Sequence, residues 1–217
     1  KGADISWLTE MEASGKLFYN SSGTPKECKQ LMKDLGMNAI RLRVWVDPAG
    51  GWNNSADVVT KAVRAKNLGL RIMIDFHYSD TWADPGQQTK PAAWAALDLA
   101  GLQTAVYNHT FSVLTALKTA GVTPEWVQVG NETNDGMLWP TGKASVNMAN
   151  YALLVNKGYD AVKAVDPIIQ VIVHISNGQD NSLFRWNLDG LKNNGGKWDI
   201  IGMSLYPDPA NWASQNT

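Results

Sequence analysis

Cysteine and histidine are scarce in this sequence. Cys28 is the only cysteine among 217 residues, and there are three histidines, His77, His109 and His174. One cysteine cannot form an internal disulfide or a thiolate metal cluster, and histidines this far apart do not give a zinc-binding spacing. Cys28 falls in a predicted helix, where a small buried hydrophobe is the expected role. We therefore predict no metal site.

Net charge and long apolar runs are also lacking. The sequence has 19 lysines and arginines against 20 aspartates and glutamates, a net charge of −1, with both signs scattered. This distribution indicates neither a nucleic-acid-binding patch nor an acidic tail. No apolar run approaches the roughly 20 residues that span a bilayer. No signal peptide is recognised, although a mature secreted chain would have lost one.

A repeated unit organises what is present. Helical periodicity is followed by Leu-Gly or Ala-Gly and then by an apolar run, with glycines at Gly36, Gly69 and Gly121. Glycine there fits a left-handed helix C-terminal cap. We predict a helix opened by Thr24-Pro25 and a second helix capped by Ser55. The predicted strands cover 3–8, 39–46, 71–77, 126–132, 168–175 and 199–206, and the predicted helices cover 26–35, 55–68, 99–120, 144–165 and 182–193.

Alternating strands and helices predict an α/β fold with a parallel sheet, in which six βα units are visible. Polar side chains concentrate toward the carboxyl ends of the strands. A doubly wound sheet would bury them against helices, whereas a barrel places them at its mouth, so we predict a (β/α)8 TIM barrel. No linker divides the chain, so residues 1–217 form a single domain. A barrel needs eight strands, so strands seven and eight are expected beyond Thr217, and residues 207–217 are predicted as a loop entering a helix.

The candidate catalytic acid ends the apolar run that begins at Trp126. A carboxylate at the carboxyl end of a buried strand is costly unless it is paired or functional. Glu132 is therefore interpreted as a catalytic acid, and the alternative is a structural or solvated carboxylate.

Other polar positions leave two interpretations open. Arg41 and Arg43 point the same way and belong either to a site or to an ion-pair network with Asp75 inside the barrel. His174 is a core histidine or a groove residue. The sequence has ten tryptophans, whose flat apolar faces bind sugar rings or simply pack. Trp82, in a loop, is interpreted as a sugar platform, with a barrel cap as the alternative.

Five stretches, in order along the whole chain, carry a family resemblance. They are Gly2–Ser6, Ile40–Val46, Asp75–Pro85, Val129–Asn134 and Gly202–Pro207. Asn-Glu alone is a weak motif, but its combination with His-x-Ser-Asp-Thr-Trp-Ala-Asp-Pro is strong. Together these stretches resemble the endo-β-1,4-galactanases of glycoside hydrolase family 53, in the large clan of retaining (β/α)8 hydrolases.

The resemblance implies an endo-acting retaining hydrolase of β-1,4-galactan, the polymer of type I arabinogalactan and pectin side chains. Glu132 would be the general acid/base, Asn131 would bind the sugar 2-hydroxyl, and Arg41 would hydrogen-bond the nucleophile. That nucleophile is a glutamate at the end of strand seven, expected beyond Thr217. The substrate-binding candidates surround the scissile bond and line the groove; they are Asp4, His77, Trp82, Asp84, His174 and Tyr206.

The implied chemistry requires no cofactor, and a structural calcium in late loops would lie outside this chain. The expected partner is galactan or its oligosaccharides, the expected state is a monomer, and the expected location is secreted, periplasmic or cell-surface. Two alternatives stay open. One is a β-mannanase or β-glucanase of the same clan, and the other is a non-catalytic carbohydrate-binding barrel.

Overall fold

A sheet of six parallel strands forms the centre of the computed structural model, which describes residues 1–207. The strands are β1 (Gly2–Asp4), β2 (Ala39–Val44), β3 (Arg71–Phe76), β4 (Trp126–Val129), β5 (Gln170–Ile175) and β6 (Ile200–Met203). Each strand pairs with the next one in sequence, in the order β1-β2-β3-β4-β5-β6. A doubly wound sheet would reverse its strand order, whereas a barrel does not. The predicted barrel architecture is confirmed for these six strands.

Helices lie between successive strands. They are α1 (Leu8–Ala13), α2 (Cys28–Asp34), α3 (Ser55–Asn67), α4 (Leu99–Thr119), α5 (Met148–Val165) and α6 (Asn181–Asn193), with short 3₁₀ turns at Ala49–Gly51 and Ala92–Trp94. None of the helices in residues 1–207 is long and apolar enough to cross a bilayer. The loop entering a helix that was predicted over 207–217 lies, after Pro207, outside the described residues.

The start of the chain departs from prediction. The first strand was expected to reach Leu8, but it ends at Asp4 because Oδ1 of Asp4 accepts hydrogen bonds from the N–H and hydroxyl of Ser6, at 2.9 and 2.6 Å. This Asx turn redirects the chain into the unpredicted helix α1. The next helix was expected to open at Thr24-Pro25, but Pro25 sits in a β-bridge and Glu27 caps the helix.

Two further helix starts are corrected. Ser55 was predicted to cap α3, but the side chain of Asn54 accepts the N–H of Asp57 instead. Helix α5 was predicted from residue 144 and begins at Met148, with Asn147 as its cap. In both cases asparagine offers a carbonyl oxygen of the right reach to a free helical N–H. The glycine caps are confirmed, since Gly36, Gly69 and Gly121 have φ of 83°, 74° and 76°.

The two faces of the sheet carry different chemistry. Residues that face the helices are aliphatic or aromatic and buried, among them Ile40, Leu42, Val44, Ile72, Ile74, Phe76, Val127, Val129, Val171 and Val173. Residues that face the barrel interior include Arg43, Asp75 and Gln128, which are neighbours across β2, β3 and β4. The hydrophobic core therefore lies between sheet and helices, and the polar row collects at the carboxyl ends of the strands.

Helix α5 approaches β4 closely at Gly158. A Cβ atom placed on Gly158 would lie 2.5 Å from Cγ1 of Val129 and 3.0 Å from the hydroxyl of Tyr78. Both neighbours are buried, so neither can move aside freely. A Cβ on Gly190 of α6 would instead meet the flexible end of Met148.

We predict that Gly158→Ala destabilises the protein by about 1–3 kcal/mol through overpacking, although alanine is the better helix former. Gly190→Ala is the matched control and should be neutral or stabilising, by up to about 1 kcal/mol. Urea unfolding of both full-length variants beside the wild type measures the difference. Equal effects of the two substitutions would contradict the close packing of α5 on β4.

Candidate active site

A cavity of about 690 Å³ opens at the carboxyl ends of the strands. Its wall includes Asp4, Trp7, Arg41, Arg43, Trp82, Asp84, Gln128, Asn131, Glu132, His174, Ser204 and Tyr206. In barrel enzymes this is the end where active sites lie. Among residues 1–207, no group of three or more His, Cys, Asp or Glu side chains could hold a metal ion.

Glu132 follows β4 in an unusual backbone conformation. Its φ is 48°, and that of Gly130 is 84°; such a φ is strained for a residue other than glycine. The surrounding structure fixes it. The N–H of Glu132 donates to Nδ1 of His174 at 3.2 Å, and Nε2 of Gln88 donates to the carbonyl of Asn131 at 2.9 Å. The strained turn directs the Glu132 side chain into the cavity.

Arg41 lies at the centre of the polar cluster. Its Nη1 is 2.7 Å from Oδ2 of Asp4, and its Nη2 is 2.7 Å from Oδ2 of Asp75. Nη2 also donates to Oδ1 of Asn131 at 2.8 Å and to Oε1 of Gln128 at 3.2 Å. Burial opposes the guanidinium charge, but the carboxylates outweigh burial and raise the pKa of Arg41. Arg41 therefore keeps its charge and ties Asn131 to β1 and β3.

Asp75 is fully buried beneath Arg41. Nε2 of Gln128 donates to its Oδ1 at 2.6 Å, and Nε2 of His77 lies 3.0 Å from its Oδ2. Burial opposes ionisation, but Arg41 and His77 hold the pKa of Asp75 below its usual range. The ion pair with Asp75, one of the two interpretations of Arg41, is thus present in the structure.

His77 lies behind the cavity wall. Its Nδ1 accepts the N–H of Ala83 at 3.1 Å, so its Nε2 carries the proton that faces Asp75. His77 is 2% exposed and joins Asp75 to the loop that holds Trp82. Its predicted contact with substrate stays a prediction.

Within residues 1–207, Arg43 makes no ion pair, so it does not join the network that was one interpretation of its position. Its guanidinium carbon lies over the rings of Trp7, Trp45 and Trp82, at 4.8, 4.4 and 4.1 Å from their centroids. Its Nε and Nη2 atoms are buried without a hydrogen-bond partner in the described part of the chain. Burial lowers the pKa of Arg43. Cation–π contacts with three tryptophans stabilise its charge in place of the missing hydrogen bonds.

Trp82 presents an open face to the cavity. It is 41% exposed, and its ring packs against Trp7 and Trp45 at centroid distances of 6.0 Å each. Trp7 was missed by the sequence analysis, because nothing in the local pattern after β1 links it to a loop beyond β3. Asp84 and Tyr206 also reach the cavity as expected, Asp84 with Oδ1 accepting the N–H of Gly86 at 2.8 Å.

His174 lies on the cavity wall beside Glu132, although it is only 8% exposed. Burial lowers its pKa to about 4, so the imidazole is neutral near pH 7. Ser204 was not predicted and contacts both residues, with Oγ 2.6 Å from Oε1 of Glu132 and 3.0 Å from Nε2 of His174. The sequence could have indicated Ser204, because residues two apart in an extended segment share a face and Tyr206 was already a candidate.

Similarity to known proteins shows the family of this chain. The sequence profile of glycosyl hydrolase family 53 matches residues 1–217. The chain belongs to this family. It is 43% identical to an uncharacterized protein of Niallia circulans, over 95% of this chain and 58% of that protein. It is 37% identical to an arabinogalactan endo-β-1,4-galactanase of Thermothelomyces thermophilus, over 95% of this chain and 64% of that protein.

Solved structures of family 53 agree with the fold. The GH53 catalytic domain of Ignisphaera aggregans superposes with a TM-score of 0.90 at 37% identity, covering 95% of this chain and 59% of that one. The family resemblance and the barrel predicted from sequence are confirmed. The chain spans 58% and 64% of the lengths of the two curated relatives named above.

The ion pair of Asp75 with Arg41 generates a stability prediction. Asp75→Asn removes the buried carboxylate from Arg41, whose side chain is 27% exposed and keeps Asp4 as a partner. We therefore expect a loss of about 3 kcal/mol, the lower end of the range for buried pairs broken on one side. Asp4→Asn is the matched control. Its carboxylate is 34% exposed, so its loss should be about 1 kcal/mol or less. Urea unfolding at pH 7 measures both variants.

The same pair predicts a pH dependence. The pKa of Asp75 is lowered in the folded state, so its stabilisation is complete above the unfolded pKa of about 3.9 and is lost as pH falls through the folded value. The difference in unfolding free energy between wild type and Asp75→Asn should therefore hold from pH 7 to 5 and shrink below about pH 4. A difference that is the same at pH 7 and pH 3.5 would refute the charge-based origin.

Proposed function

We propose that the full-length protein is an endo-acting retaining glycoside hydrolase that cleaves β-1,4-galactan, with Glu132 as general acid/base. The observation that carries this proposal is the Glu132 carboxyl group in the cavity at the carboxyl edge of the barrel, beside Asn131 and the charge of Arg41. Family membership and the relative named arabinogalactan endo-β-1,4-galactanase support the choice of polymer.

The proposed reaction has two steps. Retaining hydrolysis uses two carboxyl groups about 5 Å apart. In the first step, the protonated carboxyl of Glu132 donates its proton to the glycosidic oxygen while the second carboxylate attacks the anomeric carbon. In the second step, the Glu132 carboxylate removes a proton from the water that hydrolyses the glycosyl-enzyme.

The nucleophile is expected to be a glutamate on a strand that follows β6, as the family resemblance implies. Asp75 is a poor candidate because it is fully buried and does not line the cavity. Asp4 is a poor candidate because both of its oxygens are occupied, Oδ1 by Ser6 and Oδ2 by Arg41. The guanidinium of Arg41 would favour the ionised form of a nucleophile placed beside it. Asn131 donates one amide hydrogen to the carbonyl of Ala83 at 2.8 Å and keeps a second for the sugar 2-hydroxyl.

No metal or organic cofactor is needed for the proposed reaction, because carboxyl groups supply both the acid and the nucleophile. The proposed substrate is a side chain of pectin, a polymer outside the cell. We therefore propose that the protein is secreted, periplasmic or displayed on the cell surface. We also propose that it acts as a monomer.

Polymer specificity is tested by reducing-sugar release from β-1,4-galactan, β-mannan and cellulose by the full-length protein. Cleavage of galactan alone supports the proposal. Cleavage of mannan or cellulose would favour the related mannanase or glucanase activity. Galactan binding without any cleavage would favour a carbohydrate-binding barrel.

The acid role of Glu132 predicts a dependence on the leaving group. Glu132→Gln should lower kcat/KM on galactan by about 10²–10⁴-fold, and much less on an aryl galactoside with a good leaving group, because such a group needs little proton assistance. Glu125→Gln is the control. Glu125 lies at the other end of β4, where it is paired with Arg71 on the surface. Equal losses of Glu132→Gln on both substrates would argue against the acid role.

Trp82 as a sugar platform predicts a binding loss. Trp82→Ala, measured by calorimetry with galacto-oligosaccharides, should weaken binding by about 5–30-fold, which corresponds to a stacking contact of about 1–2 kcal/mol. Trp186→Ala is the matched control, since Trp186 is similarly exposed at 43% but lies on α6 and not on the cavity wall. An unchanged dissociation constant in folded Trp82→Ala would refute the platform role.

A further inference from the structure

A chain of hydrogen bonds links Glu132, Ser204 and His174. Oγ of Ser204 lies 2.6 Å from Oε1 of Glu132, a short distance typical of a hydroxyl bonded to a carboxylate. The same oxygen lies 3.0 Å from Nε2 of His174. Within residues 1–207, Oε2 of Glu132 makes no hydrogen bond to the protein, so the two carboxyl oxygens have different surroundings.

The contacts of Nδ1, the other ring nitrogen of His174, decide which groups donate and which accept in these hydrogen bonds. Nδ1 lies 3.2 Å from the nitrogen of the Glu132 N–H, 3.1 Å from the amide nitrogen of Gln128 and 3.1 Å from Oδ1 of Asn131. The N–H of Glu132 can only donate and has no other acceptor within residues 1–207, whereas Oδ1 of Asn131 already accepts from Arg41 at 2.8 Å. Nδ1 therefore accepts from Glu132, and a neutral imidazole then carries its hydrogen on Nε2. Burial, which lowers the pKa of His174 to about 4, keeps the ring neutral. Ser204 therefore accepts from His174 and donates its own hydrogen to Glu132.

The backbone of Ser204 is fixed on both sides. Its N–H donates to the carbonyl of Ile175 at 3.0 Å, and its carbonyl accepts the N–H of Gly178 at 2.9 Å. Both partners belong to the end of β5 and the loop after it, the segment that also carries His174. The hydroxyl is therefore held in place before any substrate binds, and little order has to be gained during the reaction.

We propose that Ser204 is a positioning residue for the acid/base, which binds Oε1 of Glu132 and leaves Oε2 as the oxygen that exchanges the proton. This inference rests on the proposed function. In the first step, the hydrogen on Oε2 passes to the glycosidic oxygen, and the electron pair of the broken C–O bond stays with the departing sugar. In the second step, the water oxygen bonds the anomeric carbon as the bond to the nucleophile carboxylate breaks, and Oε2 takes a proton from that water, which restores the acid.

One oxygen therefore serves both steps, and the carboxyl group does not have to rotate between them. The bond from Ser204 to Oε1 is charge-assisted when Glu132 is ionised. Loss of the hydroxyl should free the carboxyl group to turn and should reduce proton transfer more than substrate binding.

The kinetic test compares Ser204→Ala, Ser204→Thr and the control Ser176→Ala in the full-length protein. Ser176 lies after β5 and bonds Asn134, not Glu132. Ser204→Ala should lower kcat on galactan by about 10–100-fold, the range for a hydrogen bond to a charged group, with KM changed less than about threefold. On an aryl galactoside with a good leaving group, its kcat/KM should fall less than about threefold. Ser204→Thr keeps the hydroxyl and should retain most activity, as should Ser176→Ala.

A loss by Ser204→Ala that is equal on both substrates, or falls on KM alone, would overturn the positioning role. A loss by Ser204→Thr as large as that of Ser204→Ala would also overturn it, because the hydroxyl would then not be the feature that matters.

A second readout needs no turnover. Nitrogen NMR of histidine-labelled protein near pH 7, with His174 assigned by its absence in His174→Gln, reports the tautomer. The wild type should show the Nε2–H tautomer with a proton protected from exchange, and Ser204→Ala should lose that protection. An Nδ1–H tautomer would overturn the proposal, because Ser204 would then donate to His174 rather than to Glu132. A wild type that shows the Nε2–H tautomer but cleaves no galactan refutes the proposed function and leaves the hydrogen-bond chain supported.

Discussion

The positive charge of Arg41 inside the barrel is the constraint on which the site depends. A partly buried cation needs carboxylates close by, and Asp4 and Asp75 meet that need from the strands on either side. Asp75 is then too deeply buried to stay ionised without further donors, which Gln128 and His77 provide. Each polar group thus requires the next, and the network extends across β1 to β4 until it reaches the amide beside the acid.

The sheet can carry this network because its two faces are separated so strictly. Helix-facing positions such as Ile74 and Val127 are completely buried and supply the apolar core. Interior positions are thereby released from packing with helices and can hold charged groups in contact with one another. A doubly wound sheet has no such interior, since both of its faces are covered by helices. The polar row is therefore possible only in the curved arrangement that the structure shows.

Sequence reasoning succeeded where the information is local. The alternation of strands with helices, together with polar residues at the strand ends, predicted the barrel, and the period of two placed Arg41 and Arg43 on one strand face. It failed where a distant contact decides. The first strand stops early because the side chain of Asp4 accepts the N–H of Ser6. Such competition between a side chain and the hydrogen bonds of the sheet is not visible in the alternation of polar and apolar residues. Arg43 contacts tryptophan rings and makes no ion pair within the described residues, because Trp7 and Trp82 converge on it from different loops. Ser204 contacts Glu132 only because β5 pairs with β6.

The proposed sugar platform and the proposed acid share one support in this arrangement. The carbonyl of Ala83 accepts a hydrogen bond from Asn131, and the N–H of Ala83 donates to Nδ1 of His77. Trp82, the residue before Ala83, is therefore fixed by the same groups that fix Asn131 and Arg41. A sugar ring stacked on that indole would be placed at a set distance from Glu132, because Trp82 is one residue from Ala83, which Asn131 and His77 hold in place. Rigid placement of this kind supplies the proximity on which glycoside cleavage depends.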